Sequence, residues 1–232
     1  MTPTMLTQTS FDSGALSGLA SIAHPLREPG YWRLAAGGRR VSPRRQFDVI
    51  VRAGGQARFA IELADEDRRG KPPGLSEGFL APGGMINLAA RAARTGCHAL
   101  LYGDRPDEPL WDSRELQQGD GYACMPMRPG SWRIENVLDG AVGRLQVAYP
   151  DPRAIAAGRH LATTPVRVTV GTAILPDDLR IDPGQLLIFA IDVRCRLAVT
   201  LQQSDDGPPE LAAWREERSR MALERVFGNG RC

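Results

Sequence analysis

The chain has 232 residues, of which 42% are apolar and 24% are charged, and these proportions are ordinary for a globular protein. Its net charge of +2 excludes a strong overall attraction to nucleic acid or to acidic lipid, so nucleic acid is not an expected partner. No apolar run approaches the ~18 residues of a membrane-spanning helix, and no transmembrane segment is predicted.

The first 29 residues are predicted to form an extension rather than a domain. Apolar side chains between residues 11 and 23 recur at helical spacing and predict one face of a short helix. The first ten residues lack the basic start and the apolar centre of a secretory signal. We therefore expect a cytoplasmic protein with reduced thiols at its four cysteines, which are Cys97, Cys124, Cys195 and Cys232.

Residues 30–150 contain strand-like segments separated by turns rich in glycine and proline. Residues 46–52 and 56–63 are predicted to be two strands, joined by a hairpin-like turn at residues 53–55. Further strands are predicted at residues 31–34, 85–93, 97–102, 121–124, 131–137 and 143–149. The total of roughly seven strands is typical of a β-sandwich.

A proline-rich break at residues 150–152 precedes a second and shorter β unit, predicted over residues 151–203. Its strands are predicted at residues 166–171, 179–181, 185–192 and 196–203. Residues 204–232 are predicted to form a C-terminal helix and tail, with the helix running from about residue 210 to 227 and ending before Gly228. The predicted fold class is therefore all-β, with an N-terminal extension and a C-terminal helix.

Four short motifs resemble those of the cupredoxin-like β-sandwich superfamily. The first unit carries Leu-Ala-Pro-Gly at residues 80–83, Gly-Cys-His-Ala-Leu at residues 96–100 and Pro-Gly-Ser-Trp-Arg-Ile at residues 129–134. The second unit carries Pro-Gly-Gln-Leu-Leu-Ile-Phe at residues 183–189. The resemblance implies cupredoxin-like or immunoglobulin-like sandwich units.

The same resemblance implies that the type 1 copper ligands are not retained. His98 falls near the first histidine ligand of the family, but Asn136 stands at the cysteine position and Val142 at the methionine position. A blue-copper centre requires two imidazoles and one thiolate around the metal. We therefore expect no resident cofactor and a fold kept as a scaffold, because a fold does not carry its function with it.

A soft metal site is the alternative. Cys124, Met125 and Met127 offer a thiol and two thioethers, the ligand types that select Cu(I), and His98 would complete the set if the strands bring it close. The competing interpretation is that these sulfur atoms fill the core, as Met and free Cys commonly do. Copper handling is therefore the alternative function.

No catalytic constellation is evident, so we expect a protein that is not an enzyme. The chain has three histidines and lacks the Gly-x-Ser-x-Gly turn of serine hydrolases. The first hypothesis is a non-catalytic accessory or structural subunit that docks on a larger protein assembly through its tails and loops, with a membrane-peripheral position left open. The candidate partner contacts are a basic loop, a tryptophan in a long loop and a tryptophan of the C-terminal helix, namely Arg39, Arg40, Arg44, Arg45, Trp111 and Trp214.

Overall fold

The structure, a computed structural model, describes residues 7–38, 46–63, 76–90, 96–105, 107–149, 157, 162–205 and 207. Within these ranges the chain is all-β, which confirms the predicted fold class at this level, and two sheets form a curled, sandwich-like arrangement. The predicted C-terminal helix lies outside the described residues. The described strands are β1 (Ser10–Asp12), β2 (Ala20–Leu26), β3 (Gly30–Gly38), β4 (Gln46–Glu62), β5 (Ser76–Ala89), β6 (Cys97–Tyr102), β7 (Trp111–Asp112), β8 (Gly121–Cys124), β9 (Gly130–Asn136), β10 (Val142–Val147), β11 (Val166–Val170), β12 (Ile174–Leu175), β13 (Asp178–Ile181), β14 (Leu187–Ile191) and β15 (Leu197–Ser204).

The smaller sheet has five strands in the order β1-β15-β9-β10-β13. Its central strand β9 alternates between core and solvent: Trp132 and Ile134 are buried, whereas Ser131 and Arg133 are exposed. This alternation follows from the two-residue period of a strand, which sends successive side chains to opposite faces. The buried set of β9 therefore forms one wall of the core.

The larger sheet has ten strands in the order β12-β11-β14-β8-β2-β5-β4-β3-β6-β7. The edge strand β7 contacts a strand in the middle of the same sheet. Trp111 of β7 stacks on His24 of β2, with 4.2 Å between the ring centroids, although four strands separate β7 from β2 in the hydrogen-bonded order. This half of the sheet is therefore curled back on itself around buried side chains.

The predicted hairpin at residues 53–55 is wrong. β4 continues through these residues, and it pairs in parallel with β5 on both sides of an irregularity in which Val51 and Gln56 share Leu80 as their partner. Gly55 lies so close to β5 that a Cβ atom there would be 2.1 Å from the carbonyl carbon of Leu80. The glycines predicted to make a turn instead form a β-bulge, which lets two backbones approach each other.

The predicted amino-terminal helix is also wrong, because residues 10–12 and 20–26 form β1 and β2. β1 pairs with β15, and Phe11 is buried beside Trp132, with 6.0 Å between the ring centroids. β2 lies between β8 and β5 in the larger sheet. The amino-terminal segment therefore contributes core strands to both sheets.

The sheets also join strands from both sides of the predicted boundary at residue 150. β8 pairs with β14, β9 pairs with β15, and β10 pairs in parallel with β13. The buried apolar residues on both sides of that boundary belong to one cluster. Among the described residues, no helix is long and apolar enough to cross a membrane.

Candidate functional site

The proposed soft-metal residues of β8 lie in or against the core. Cys124 is fully buried between Ala20 of β2 and Leu187 of β14, and this burial strongly raises the pKa of its thiol. Met127 is partly buried, and its sulfur lies against the turn at Gly184. Met125, also partly buried, donates its backbone N–H to the carbonyl of Leu19. Because the thiolate is the metal ligand, a thiol held in its neutral form is poorly suited to copper.

His98 lies on the opposite side of its sheet from the core. Its neighbours Cys97 and Ala99 point inward and are buried, whereas His98 is partly exposed and its imidazole covers Gly37 of β3. The pKa of His98 is lowered, mainly by burial and further by Arg114. Cys124 of β8 is buried in the core, whereas His98 lies on the outer side of β6. The structure therefore does not bring His98 together with Cys124.

Asn136 and Val142 occupy the positions where the resemblance would place cysteine and methionine ligands. Asn136 is fully buried, and its Oδ1 accepts hydrogen bonds from the backbone N–H groups of Leu138 and Arg196, both at 3.2 Å. Val142 is 39% exposed. Asn136 therefore holds the turn between β9 and β10 against the loop before β15. Across the described residues, no three His, Cys, Asp or Glu side chains are grouped to hold a metal ion.

Trp111, predicted as a partner contact, is buried and does not offer a surface to a partner. Its indole Nε1 donates a hydrogen bond of 3.0 Å to Asp120 Oδ2, which also accepts the backbone N–H of Gln117 at 2.8 Å. The other carboxylate oxygen, Oδ1, lies 2.7 Å from His24 Nδ1. These side chains form a largely buried polar cluster, the His24–Asp120–Trp111 cluster, that links β2, β7 and the loop before β8.

A histidine oriented by a buried carboxylate is a common element of hydrolytic sites, where it activates a nucleophile. Among the described residues, the hydrogen-bond partner of His24 is Asp120, and no hydroxyl or thiol is bonded to it. The two buried serines have other roles, since Ser13 Oγ accepts the N–H of Leu197 and Ser113 Oγ accepts the N–H of Ala99. The geometry therefore favours a structural role, in which the cluster holds the curl of the larger sheet closed.

A second feature lies on the outer side of the same curl. Tyr31 of β3 is paired with Ile50 of β4, which is paired with Phe79 of β5, so these three side chains form one row. Tyr31 is 41% exposed and Phe79 is 37% exposed. The guanidinium of Arg33 lies 5.8 Å from the Tyr31 ring centroid, and that of Arg52 lies 4.5 Å from the Phe79 ring centroid. We call these five residues the aromatic face.

The remaining predicted contacts, Arg39, Arg40, Arg44, Arg45 and Trp214, lie outside the described residues. Comparison with protein-family models, with curated proteins and with solved structures finds no match to this chain. The resemblance to cupredoxins therefore stays a prediction.

Sequence reasoning missed both the cluster and the aromatic face. His24 and Asp120 are 96 residues apart and carry no local motif, so no sequence signal indicated that they meet. The aromatic face did leave a signal in β4. Phe47, Val49 and Val51 alternate as buried residues, which places the apolar Ile50 on the outer side of the strand.

Proposed function

We propose that this protein is a non-catalytic accessory or structural subunit of a larger protein assembly, and that it contacts its neighbour through the aromatic face. The observation that carries the proposal is the row of Tyr31, Ile50 and Phe79 on the outer side of the curl, with Arg33 and Arg52 stacked on its two aromatic rings. A row of this kind on the solvent side of a sheet departs from the usual alternation of polar and apolar residues.

The composition of the face matches that of protein–protein interfaces. Tyr and Arg are enriched among the residues that dominate binding energy, and Phe is enriched in interface cores. Three backbone-paired strands hold the side chains in place, so little backbone freedom is lost on association. Arg52, which has no carboxylate partner among the described residues, adds donors for a carboxylate or carbonyl group of a partner.

The buried reactive groups also support a non-catalytic role. Burial strongly raises the pKa of the Cys124 thiol and raises that of Cys195 to about 12, so both thiols are protonated at neutral pH. His24 is engaged with Asp120 inside the fold. These groups contribute to the core rather than to a reactive surface.

The finer description of the sandwich as cupredoxin-like belongs to the same proposal. It is supported by Gly130, the first residue of β9, and by Gly184 in the turn before β14, which have φ values of 141° and 81°. A turn glycine followed by an apolar strand is the pattern on which the resemblance was drawn. The expected cytoplasmic location and the membrane-peripheral alternative stay predictions.

The test is photo-crosslinking from the aromatic face in the native host. The full chain carries benzoylphenylalanine in place of Tyr31, and a matched chain carries it in place of Leu175, which is 58% exposed on β12. We expect a stoichiometric protein adduct from position 31, none from position 175, and loss of the adduct when Phe79→Glu is added. Equal labelling from both positions, or an adduct indifferent to Phe79→Glu, would contradict the proposal.

A further inference from the structure

The charges of the aromatic face are arranged around its apolar row in a definite order. On one side of the row lies a charged row in which Arg33 is paired with Asp48, and Asp48 with Glu77. Arg33 Nε is 3.4 Å from Asp48 Oδ1, so these two charges are matched within the chain. Glu77 is exposed and has no ion-pair partner among the described residues.

The unmatched positive charge lies on the other side of the apolar row. Arg52 follows Ile50 by two residues on β4, which carries it away from Asp48 and places its guanidinium over Phe79. Within the described part of the chain, it has no carboxylate partner. Among the described residues, the apolar row is therefore flanked by the unpaired carboxylate of Glu77 on one side and by the unpaired guanidinium of Arg52 on the other.

We infer that the partner of the aromatic face is a second copy of this chain, packed on it about a two-fold axis. This inference rests on the proposed function, since it names the neighbour at that same face. The two-fold axis lies in the plane of the face and runs along the row of Tyr31, Ile50 and Phe79. It stacks this row on the same row of the second subunit. It also places the side of the row that carries Glu77 opposite the side that carries Arg52 in the other subunit. Glu77 then faces the partner subunit's Arg52, and the same contact occurs a second time by symmetry.

Pairing with a second copy gives each group of the face a complementary group on the other subunit. In a two-fold interface the same patch is used on both subunits and must be complementary to itself. The apolar row meets an identical apolar row, and each unmatched charge meets the opposite charge. The matched pair of Arg33 and Asp48 introduces no net charge on either side. An unrelated partner would need to supply both complementary charges at this spacing.

The first test is sedimentation equilibrium of the purified full chain at micromolar concentration. We expect a dimer, and we expect Phe79→Glu to weaken its association at least about a hundredfold because two carboxylates enter the apolar centre. Leu175→Glu, an exposed position on β12, is the matched control and keeps the dimer. Circular dichroism of each variant establishes that it is folded. A wild-type monomer at these concentrations would overturn the inference.

The decisive test uses charge reversal. Arg52→Glu alone and Glu77→Arg alone each place like charges at both symmetric contacts, and we expect each variant to dimerise about tenfold or more weakly than the wild type. Mixed in equal amounts, the two variants should form a heterodimer with affinity close to wild type, because both contacts again join opposite charges. Two monomeric variants that do not associate with each other would overturn the two-fold arrangement.

The failure of the dimer and the failure of the proposed function are distinguishable. If the wild-type chain is a monomer but position 31 crosslinks to a different protein in a manner that depends on Phe79, the homodimer is overturned and the accessory-subunit role stands. If neither association depends on Phe79, both fail.

Discussion

Replacing Asp120 by alanine should open the curl of the larger sheet. The carboxylate is buried and accepts hydrogen bonds from Trp111 Nε1 at 3.0 Å and from the backbone N–H of Gln117 at 2.8 Å, and it lies 2.7 Å from His24 Nδ1. A hydrogen bond to a charged group contributes at least ~1.5 kcal/mol net. Counting only the two side-chain bonds, we expect the free energy of unfolding to fall by about 3 kcal/mol. The buried indole N–H of Trp111 is also left without an acceptor.

The assay is equilibrium unfolding in urea followed by far-ultraviolet circular dichroism, which does not depend on the fluorescence of Trp111. For a chain of this size, 3 kcal/mol corresponds to a fall of roughly 6–12 °C in Tm. Asp107→Ala is the matched control, since Asp107 is exposed, and it should change stability by less than ~0.5 kcal/mol. If Asp120→Ala lowers the free energy of unfolding by less than ~1 kcal/mol, the cluster does not hold the curl of the larger sheet closed.

A double-mutant cycle separates the hydrogen bond from the packing. His24→Phe keeps a ring to stack on Trp111 but removes the contact with Asp120. Because His24 and Asp120 are in direct contact, their substitutions should not be additive, and we expect a coupling energy of about 1 kcal/mol or more. Additive losses would show that the two side chains act independently.

Two further predictions concern a glycine and the buried thiols. Gly55→Ala should destabilise the fold by about 2 kcal/mol or more in urea unfolding, because its Cβ would lie 2.1 Å from the backbone of β5. Gly171→Ala is the control and should be nearly neutral, because there is open space around Gly171. Equal losses of stability in the two variants would contradict the bulge geometry. Stability should fall as the pH rises above 9.0, the ordinary thiol pKa, because the unfolded chain releases protons from Cys124 and Cys195 that the folded chain retains. The free energy of unfolding should fall by about 1.4 kcal/mol per pH unit for each thiol, as measured from guanidinium unfolding at several pH values. Cys124→Ala should remove the contribution of one thiol to this slope. An unchanged slope in Cys124→Ala would refute the burial of that thiol.

Much of the strand content was predictable from the sequence because alternation is a local property. The strands predicted at residues 97–102 and 121–124 coincide with β6 and β8, and those at residues 131–137 and 143–149 differ from β9 and β10 by one or two residues at their ends. In each case, buried apolar residues recur at every second position, so a short window of sequence carries the signal.

The candidate site was far less predictable. The sequence drew attention to Cys124 and His98 because of their side-chain chemistry, but chemistry alone does not say on which side of a sheet a residue lies. Cys124 points into the core and His98 points outward. Trp111 was expected at a surface because it stands in a polar loop, and it is buried because Asp120 and His24 accommodate its indole.

By itself, the sequence determined the all-β class and the positions of most strands. Tertiary structure alone decided which strands pair. β1 joins β15 through contacts between residues more than 180 apart, as in the bond from Leu197 N–H to Ser13 Oγ, which spans 184 positions. The glycines of β4 make a bulge rather than a hairpin because β5 lies alongside them. Such pairings depend on backbone hydrogen bonds and core contacts between distant segments, and no local pattern of residues encodes them.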